Sequence, residues 1–210
     1  MEIIEKLEQS VLKGNPKEVA LYTKAELEKG IFWSDIFENT LIPLMDRVGQ
    51  GFSEGTYFLP ELIVTGNAVS GALEVIKESL GEIEIESKGT IVIGTIFEDL
   101  HDIGKNIVKM NFEAAGFKVI DLGIDAQPEE FVKSCRDNKV DLVGISALLT
   151  TTMLNMETAI KLIREDVTGI KIMIGGNPLT PEFAKKIGAD AYAPDVYQAV
   201  LKAKELLNIN

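Results

Sequence analysis

The chain has little of what metal and redox proteins usually draw on. Its 210 residues include one histidine, one cysteine and one tryptophan. A single cysteine excludes an internal disulfide, which suits a reducing cytoplasm, the expected location. That cysteine, Cys135, lies in the helix-like "PEEFVKSCRDNK", where a buried or neutral thiol is expected. A single histidine cannot hold a bare zinc or iron ion, which takes three or four protein ligands. Positive charge is also scarce: 21 Lys and Arg against 33 Asp and Glu leave a net charge of −12, which argues against nucleic acid and anionic membranes as partners. No apolar run is expected to reach the roughly 20 residues that span a bilayer. The acidic start "MEIIEKLEQS" has no long apolar core and does not read as a leader.

What is present falls into two parts. Residues 1–86 carry 16 acids and 7 bases, against 17 and 14 in residues 87–210. The first part has helical periodicity. Ile4, Leu7 and Val11 share a face, Pro16 opens a second helix that stops at Gly30, and Ser34 is placed to cap a third. In that third helix Phe37, Leu41, Leu44, Met45, Val48 and Phe52 fall on one side, and Pro43 should kink it. A fourth helix starts near Pro60 and ends at Gly81. Its centre is small (Thr65, Gly66, Ala68, Ser70, Gly71, Ala72), which fits either tight helix packing or a flat ligand. Residues 81–90 are charged and form the expected linker.

From residue 89 the pattern alternates. "GTIVIGT", "FKVIDLG", "DLVGISAL", "IKIMIGG" and "ADAYAP" are strand-like, and each is followed by a helix-like segment. Five such units in 87–210 predict an open parallel sheet of flavodoxin-like order 2-1-3-4-5, covered by helices on both faces and preceded by the small four-helix domain. In such sheets ligands bind beyond the carboxyl ends of the strands, where the strand order reverses between strands 1 and 3. Three loops should meet there: "FEDLHDIG" with Asp99 and His101, "GISALLTTT" with Ser146, Leu148 and Thr150, and "IGGNPLT" with Gly175, Gly176 and Asn177.

Asp99 is close enough to accept a bond from one ring nitrogen of His101, which leaves the other free for a metal. A one-imidazole site suits a metal held mainly by a macrocycle, as in haem or cobalamin. Asp99 and Asp102 could instead bind magnesium, as in receiver domains, but His101, Ser146 and the glycine pair then have no role. "HDIGK" also occurs in two-metal phosphohydrolases, whose further histidines are missing here.

These residues carry a resemblance. "DLHDIG" (Asp99, His101, Asp102, Ile103, Gly104) with "SAL" (Ser146 to Leu148) and "GG" (Gly175, Gly176) is similar to the cobalamin-binding signature of methionine synthase and of the small corrinoid proteins of methyltransferase systems. "LIPLMDRVGQGFSEGTYFLPEL" resembles the helical cap of the same proteins, and "SALLTTTM" and "IGADAYAPD" resemble their methylamine and methanol members. The sequence departs from the family at Glu98, where a glycine is common.

The resemblance implies cobalamin or a related corrinoid bound base-off/His-on, with His101 as the lower cobalt ligand, Asp99 bonded to His101, and Ser146 bonded to Asp99. The nucleotide tail would run into a slot lined by Ser146, Leu148, Thr150, Gly175 and Gly176. Phe58, Leu59 and the stretch around Ala68 would face the upper side of the corrin. It further implies a carrier without catalytic residues of its own. Cobalt(I) would take a methyl group from a substrate-specific methyltransferase and pass it to a tetrahydrofolate or thiol methyltransferase, in C1 metabolism of the methanogenic or acetogenic type. A reductive activator would be a further partner. A mutase small subunit or a cobalamin sensor are the alternatives that the same motif allows.

Overall fold

The structure is a computed structural model and describes residues 2–80 and 87–209. Two compact units appear, Met1–Glu86 with Glu113–Gly116, and Ser87–Phe112 with Phe117–Asn210. The expected linker 81–90 and the helix stop at Gly81 lie largely outside the described residues. Of the remainder, Thr90 opens the first strand.

The first unit consists of α1 (Glu2–Leu12), α2 (Pro16–Glu28), α3 (Trp33–Ile36), a single π-helical turn (Phe37–Leu41), α4 (Ile42–Ser53) and α5 (Leu59–Leu80). Asn15 caps α2 by accepting a hydrogen bond from the Glu18 N–H. Ser34 is not a cap; the residue before α3 is Phe32, which makes no side-chain capping bond. Nor is the Pro43 segment a simple kinked α-helix. The turn before it is widened, with the Ile42 N–H bonded to the Phe37 carbonyl. A proline cannot supply the N–H that an α-helical ladder needs at that point, and an extra residue in the preceding turn is one way to absorb this. The expected apolar face survives: Phe37, Leu41, Leu44, Met45 and Val48 are buried.

Helix α5 packs against α1, α2 and α4. Its small residues serve that packing. A Cβ at Gly71 would stand 3.4 Å from both Cβ and the carbonyl oxygen of Pro16, so α5 leaves little room beyond a glycine where it meets the start of α2. Leu59–Ser79 is 21 residues long and, by length and composition alone, apolar enough to cross a membrane. In the structure Leu62, Thr65, Ala68, Val69, Ala72 and Ile76 are buried, as in the core helix of a globular unit.

The second unit is the predicted one. Strands β1 (Thr90–Thr95), β2 (Lys118–Asp121), β3 (Leu142–Ser146), β4 (Lys171–Gly175) and β5 (Ala191–Ala193) form one parallel sheet in the order β2-β1-β3-β4-β5. Helices α6 (Ile103–Ala114), α7 (Pro128–Asp137), α8 (Met153–Asp166), α9 (Pro181–Lys186) and α10 (Val196–Leu206) connect and follow them. Ile91, Val92 and Ile93 of β1 are all buried, because helices cover both faces of a parallel sheet. Val92, Ile96, Phe131, Val143, Ile145, Ile160 and Ile172 belong to the main core. Cys135 is buried in α7, and burial with the nearby Asp166 charge pushes its thiol pKa up to about 11. In the register of β1 with β3, Thr95 lies opposite Ser146, which brings the loops after these strands together.

Candidate functional site

The crevice between the ends of β1 and β3 is built around a buried carboxylate. Asp99 is 0% exposed and accepts five hydrogen bonds. Its Oδ2 receives the N–H groups of Leu148 (2.8 Å) and Leu149 (3.3 Å) and the hydroxyl of Thr152 (2.8 Å). Its Oδ1 receives the N–H of His101 (3.1 Å) and lies 2.7 Å from His101 Nδ1. Burial by itself would raise the carboxyl pKa. The bonds from Leu148, the His101 ring, Thr152 and the His101 main chain outweigh it, so the group is held well below the usual carboxylate range. Asp99 is therefore an anion that can only accept. The proton of the neutral imidazole must then sit on Nδ1, and Nε2 carries a lone pair. The His101 side chain is 48% exposed, so that lone pair is available to a ligand.

The chain folds this way because the loop after β1 must turn sharply. Glu98 has φ 67°, in the left-handed region, and its N–H bonds to Asp125 Oδ1 (2.7 Å). Left-handed backbone costs a side-chain-bearing residue about 1–2 kcal/mol, against about 0.5–1 kcal/mol for the extra chain freedom of glycine. Glu98→Gly is thus expected to stabilise the chain by about 0.5–1 kcal/mol, read from urea unfolding midpoints. A decrease in stability would mean that the exposed Glu98 side chain, 3.5 Å from the Asn155 amide, contributes more than the strain costs.

Beside His101 lies a cavity of about 480 Å³. Among the expected residues, His101, Asp102, Ile103, Gly104, Ser146, Leu148, Gly175, Gly176 and Asn177 line it. Its further walls include Phe112, Met173, Ala193 and Val196, apolar residues that only the packing of α6, β4, β5 and α10 brings there. Lys105 also lines it; its buried ammonium pairs with Asp121 Oδ1 at 2.7 Å. Asp102 accepts bonds from both nitrogens of Asn106 and so closes the first turn of α6.

Gly176 (φ 135°) forms part of the rim: a Cβ there would sit 1.9 Å from the Ala147 carbonyl oxygen. Gly176→Ala must displace backbone on β3 or β4. It is expected to cost about 3 kcal/mol, the upper end for overpacking, and to narrow the cavity. A melting temperature equal to that of the original chain would show that the rim gives way freely.

Several expected roles change. Ser146 does not bond Asp99. Its hydroxyl lies 3.0 Å from Thr95 Oγ1, which in turn donates to the His101 carbonyl (3.0 Å). Since the Thr95 proton is used there, Ser146 donates to Thr95 and keeps its lone pairs as an acceptor on the cavity wall. The hydroxyl on Asp99 is that of Thr152, one of three consecutive threonines whose sequence signal could not be separated. Thr150 is exposed and is not part of the cavity lining. In the helical unit Phe58 is 64% exposed, whereas Ala68 is 0% exposed and has no surface to offer a ligand.

No group of three or more His, Cys, Asp or Glu side chains that could hold a metal ion occurs among the described residues. A metal at His101 must bring most of its own ligands. Leu100, Leu148 and Leu149 on the two loops that flank the imidazole, and Ile103 at the start of α6, are exposed apolar side chains. Together with the cavity, this is a fit for a flat macrocycle with an appended tail.

Comparisons with known proteins agree. Residues 89–201 and 3–77 each match a family model described as a B12 binding domain. "Dimethylamine corrinoid protein 1" of Methanosarcina acetivorans is 40% identical, over 91% of this chain and 92% of its own length. A corrinoid protein of Desulfitobacterium hafniense is 35% identical over 99% and 98%. The methanol:cobalamin methyltransferase complex MtaBC of Methanosarcina barkeri contains a chain that superposes with a TM-score of 0.89 at 28% identity, covering 99% of this chain and 80% of that one. The chain belongs to the B12-binding corrinoid proteins of methyltransferase systems.

Proposed function

We propose that the protein is a methyl carrier. It binds one corrinoid base-off, with His101 Nε2 as the lower ligand of cobalt, and serves a substrate-specific methyltransferase and an acceptor methyltransferase of the tetrahydrofolate or thiol type. A reductive activator restores the carrier after accidental oxidation. The observation that carries this reading is the imidazole hydrogen-bonded to Asp99 through Nδ1, with Nε2 free, at the mouth of a cavity of about 480 Å³.

When bound, the corrinoid supplies a cobalt centre able to take up and release a methyl group. The chain supplies the setting. Asp99 fixes the tautomer of His101 and its charge strengthens the imidazole as a donor. Leu100, Ile103, Leu148 and Leu149 form an apolar bed under the macrocycle. The cavity takes the tail, with Ser146 Oγ as an acceptor on its wall. The helical unit, residues 1–86, acts as a cover that keeps out water and oxygen, with Phe58 as its exposed apolar contact. A methylated amine is the proposed methyl source, supported by the dimethylamine names of relatives at about 40% identity. The proposed location is the cytoplasm, supported by the single buried cysteine.

The test is reconstitution of the purified chain and of a fragment spanning residues 87–210 with hydroxocobalamin. Both should retain about one corrinoid through gel filtration with a base-off visible spectrum, and the fragment should lose its cobalt(I) form to oxygen faster. Failure of the full chain to retain corrinoid would end the carrier reading. Equal oxidation rates would end the role of the helical unit as a cover. Affinity capture with the loaded chain should recover a methyltransferase that acts on a methylated amine. Recovery of one that acts on methanol would reassign the methyl source.

A further inference from the structure

We infer that Asp125, in the loop after β2, is a positioning residue for His101. The inference rests on the reading of His101 as the lower ligand.

Three non-glycine residues of the described chain have positive φ: Glu98, Asp125 and Asn208. Two of them, Glu98 (φ 67°) and Asp125 (φ 54°), are joined by a hydrogen bond next to the buried carboxylate. Asp125 grips the chain on either side of the peptide that joins residues 98 and 99. Its Oδ1 accepts the Glu98 N–H at 2.7 Å, and its own N–H donates to the Asp99 carbonyl at 3.0 Å. The adjoining main chain is anchored, because Ala126 N–H bonds the Thr95 carbonyl at 2.9 Å and Ile96 bridges to Ala126. From the other side, Asn155 Nδ2 donates to the Phe97 carbonyl at 3.0 Å.

Unfavourable backbone conformations persist where surrounding bonds over-determine them, and they gather at functional sites. Glu98 must turn left-handed for Asp99 to enter the pocket made by Leu148, Leu149 and Thr152. Asp125 provides the acceptor that makes this turn hold. If it is lost, Asp99 and the ring it aligns gain freedom, and the imidazole no longer has one fixed tautomer. Asp125 is not part of the cavity lining, and its hydrogen bonds go to Glu98 and Asp99, so its effect on the ring passes through Asp99.

The chain's single histidine allows a direct test, in protein purified without a histidine tag. Asp125→Gly removes the carboxylate but tolerates positive φ, so backbone strain does not confuse the result. Asp125→Asn keeps an acceptor and also tolerates that conformation. In long-range proton–nitrogen spectra of the ligand-free chain, at alkaline pH where the ring is neutral, the original chain and Asp125→Asn should show Nδ1–H with bare Nε2. Asp125→Gly should raise the share of the other tautomer about fivefold, the ratio that a hydrogen bond of ordinary net worth supports. In the cobalt(II) electron resonance of the corrinoid-loaded chain, the ratio of histidine-bound to histidine-free signal should fall about fivefold in Asp125→Gly alone.

An Asp125→Gly chain that melts as the original does and keeps both readouts unchanged would overturn the proposal, as would Asp125→Asn failing as badly as Asp125→Gly. If the original chain shows the Nδ1–H tautomer but no nitrogen splitting from cobalt, the ligand reading fails. The positioning role is then decided by the ligand-free spectra alone.

Discussion

The corrinoid-loaded His101→Ala chain, reduced to cobalt(II), is expected to lose the three-line nitrogen splitting of its electron resonance completely. The original chain should show that splitting from one axial nitrogen. His101 is the only histidine, and no group of three or more His, Cys, Asp or Glu that could hold a metal ion exists among the described residues, so no other imidazole can substitute. Corrinoid retention should fall far less than the signal, within about tenfold, because the cavity and the apolar bed remain; that bound follows the lower range for removing support from a metal site. Adding free imidazole should restore the splitting in the variant. Persistent splitting in His101→Ala would mean that the nitrogen comes from the corrinoid's own tail and that the base is on.

Asp99→Asn has the second-largest expected effect. All five partners of Asp99 are donors, so no orientation of an amide satisfies them. If the amide nitrogen faces Leu148, Leu149 and Thr152, the two main-chain N–H groups oppose it, while the Thr152 hydroxyl can turn its proton to the Leu149 carbonyl at 3.1 Å. If it faces His101, the ring must accept at Nδ1, and its proton moves to Nε2, where it blocks the metal. The second arrangement leaves fewer conflicts, so the variant should show the reversed tautomer in long-range proton–nitrogen spectra. Histidine ligation should then weaken about 10–100-fold, the usual range for a lost partner of a metal-binding histidine. Stability should fall by about 2–3 kcal/mol, since at least one buried donor loses its partner.

The pH dependence follows with a definite sign. Asp99 has a folded-state pKa far below its ordinary 3.8, so its stabilisation is present above that value and is lost as pH falls below it. Urea unfolding between about pH 5 and pH 2 should therefore show a shallower loss of stability in Asp99→Asn than in the original chain. Parallel acid limbs would show that Asp99 is not the anion that holds the two loops together.

The sequence by itself determined the class of this protein. Strand periods separated by helix periods specify a parallel sheet, because an apolar β-branched run such as "TIVIGT" can be satisfied only by cover on both faces. A two-residue spacing is enough to let Asp99 reach the His101 ring, and the scarcity of other ligands suits a metal held mainly by a macrocycle. What the tertiary structure decided lies in contacts between loops that are about 50 residues apart. Which of three adjacent threonines turns toward Asp99 depends on the start of α8, and Thr152 rather than Ser146 holds that place. Phe112, Met173 and Ala193 became cavity walls because α6, β4 and β5 converge there, although as separate residues they look like ordinary core. The packing partners of Leu59–Ser79, which are α1, α2 and α4, likewise appear only in the folded unit. The role of Glu98 required its φ, since a backbone angle shared with Asp125 across two loops leaves no periodic trace in the sequence.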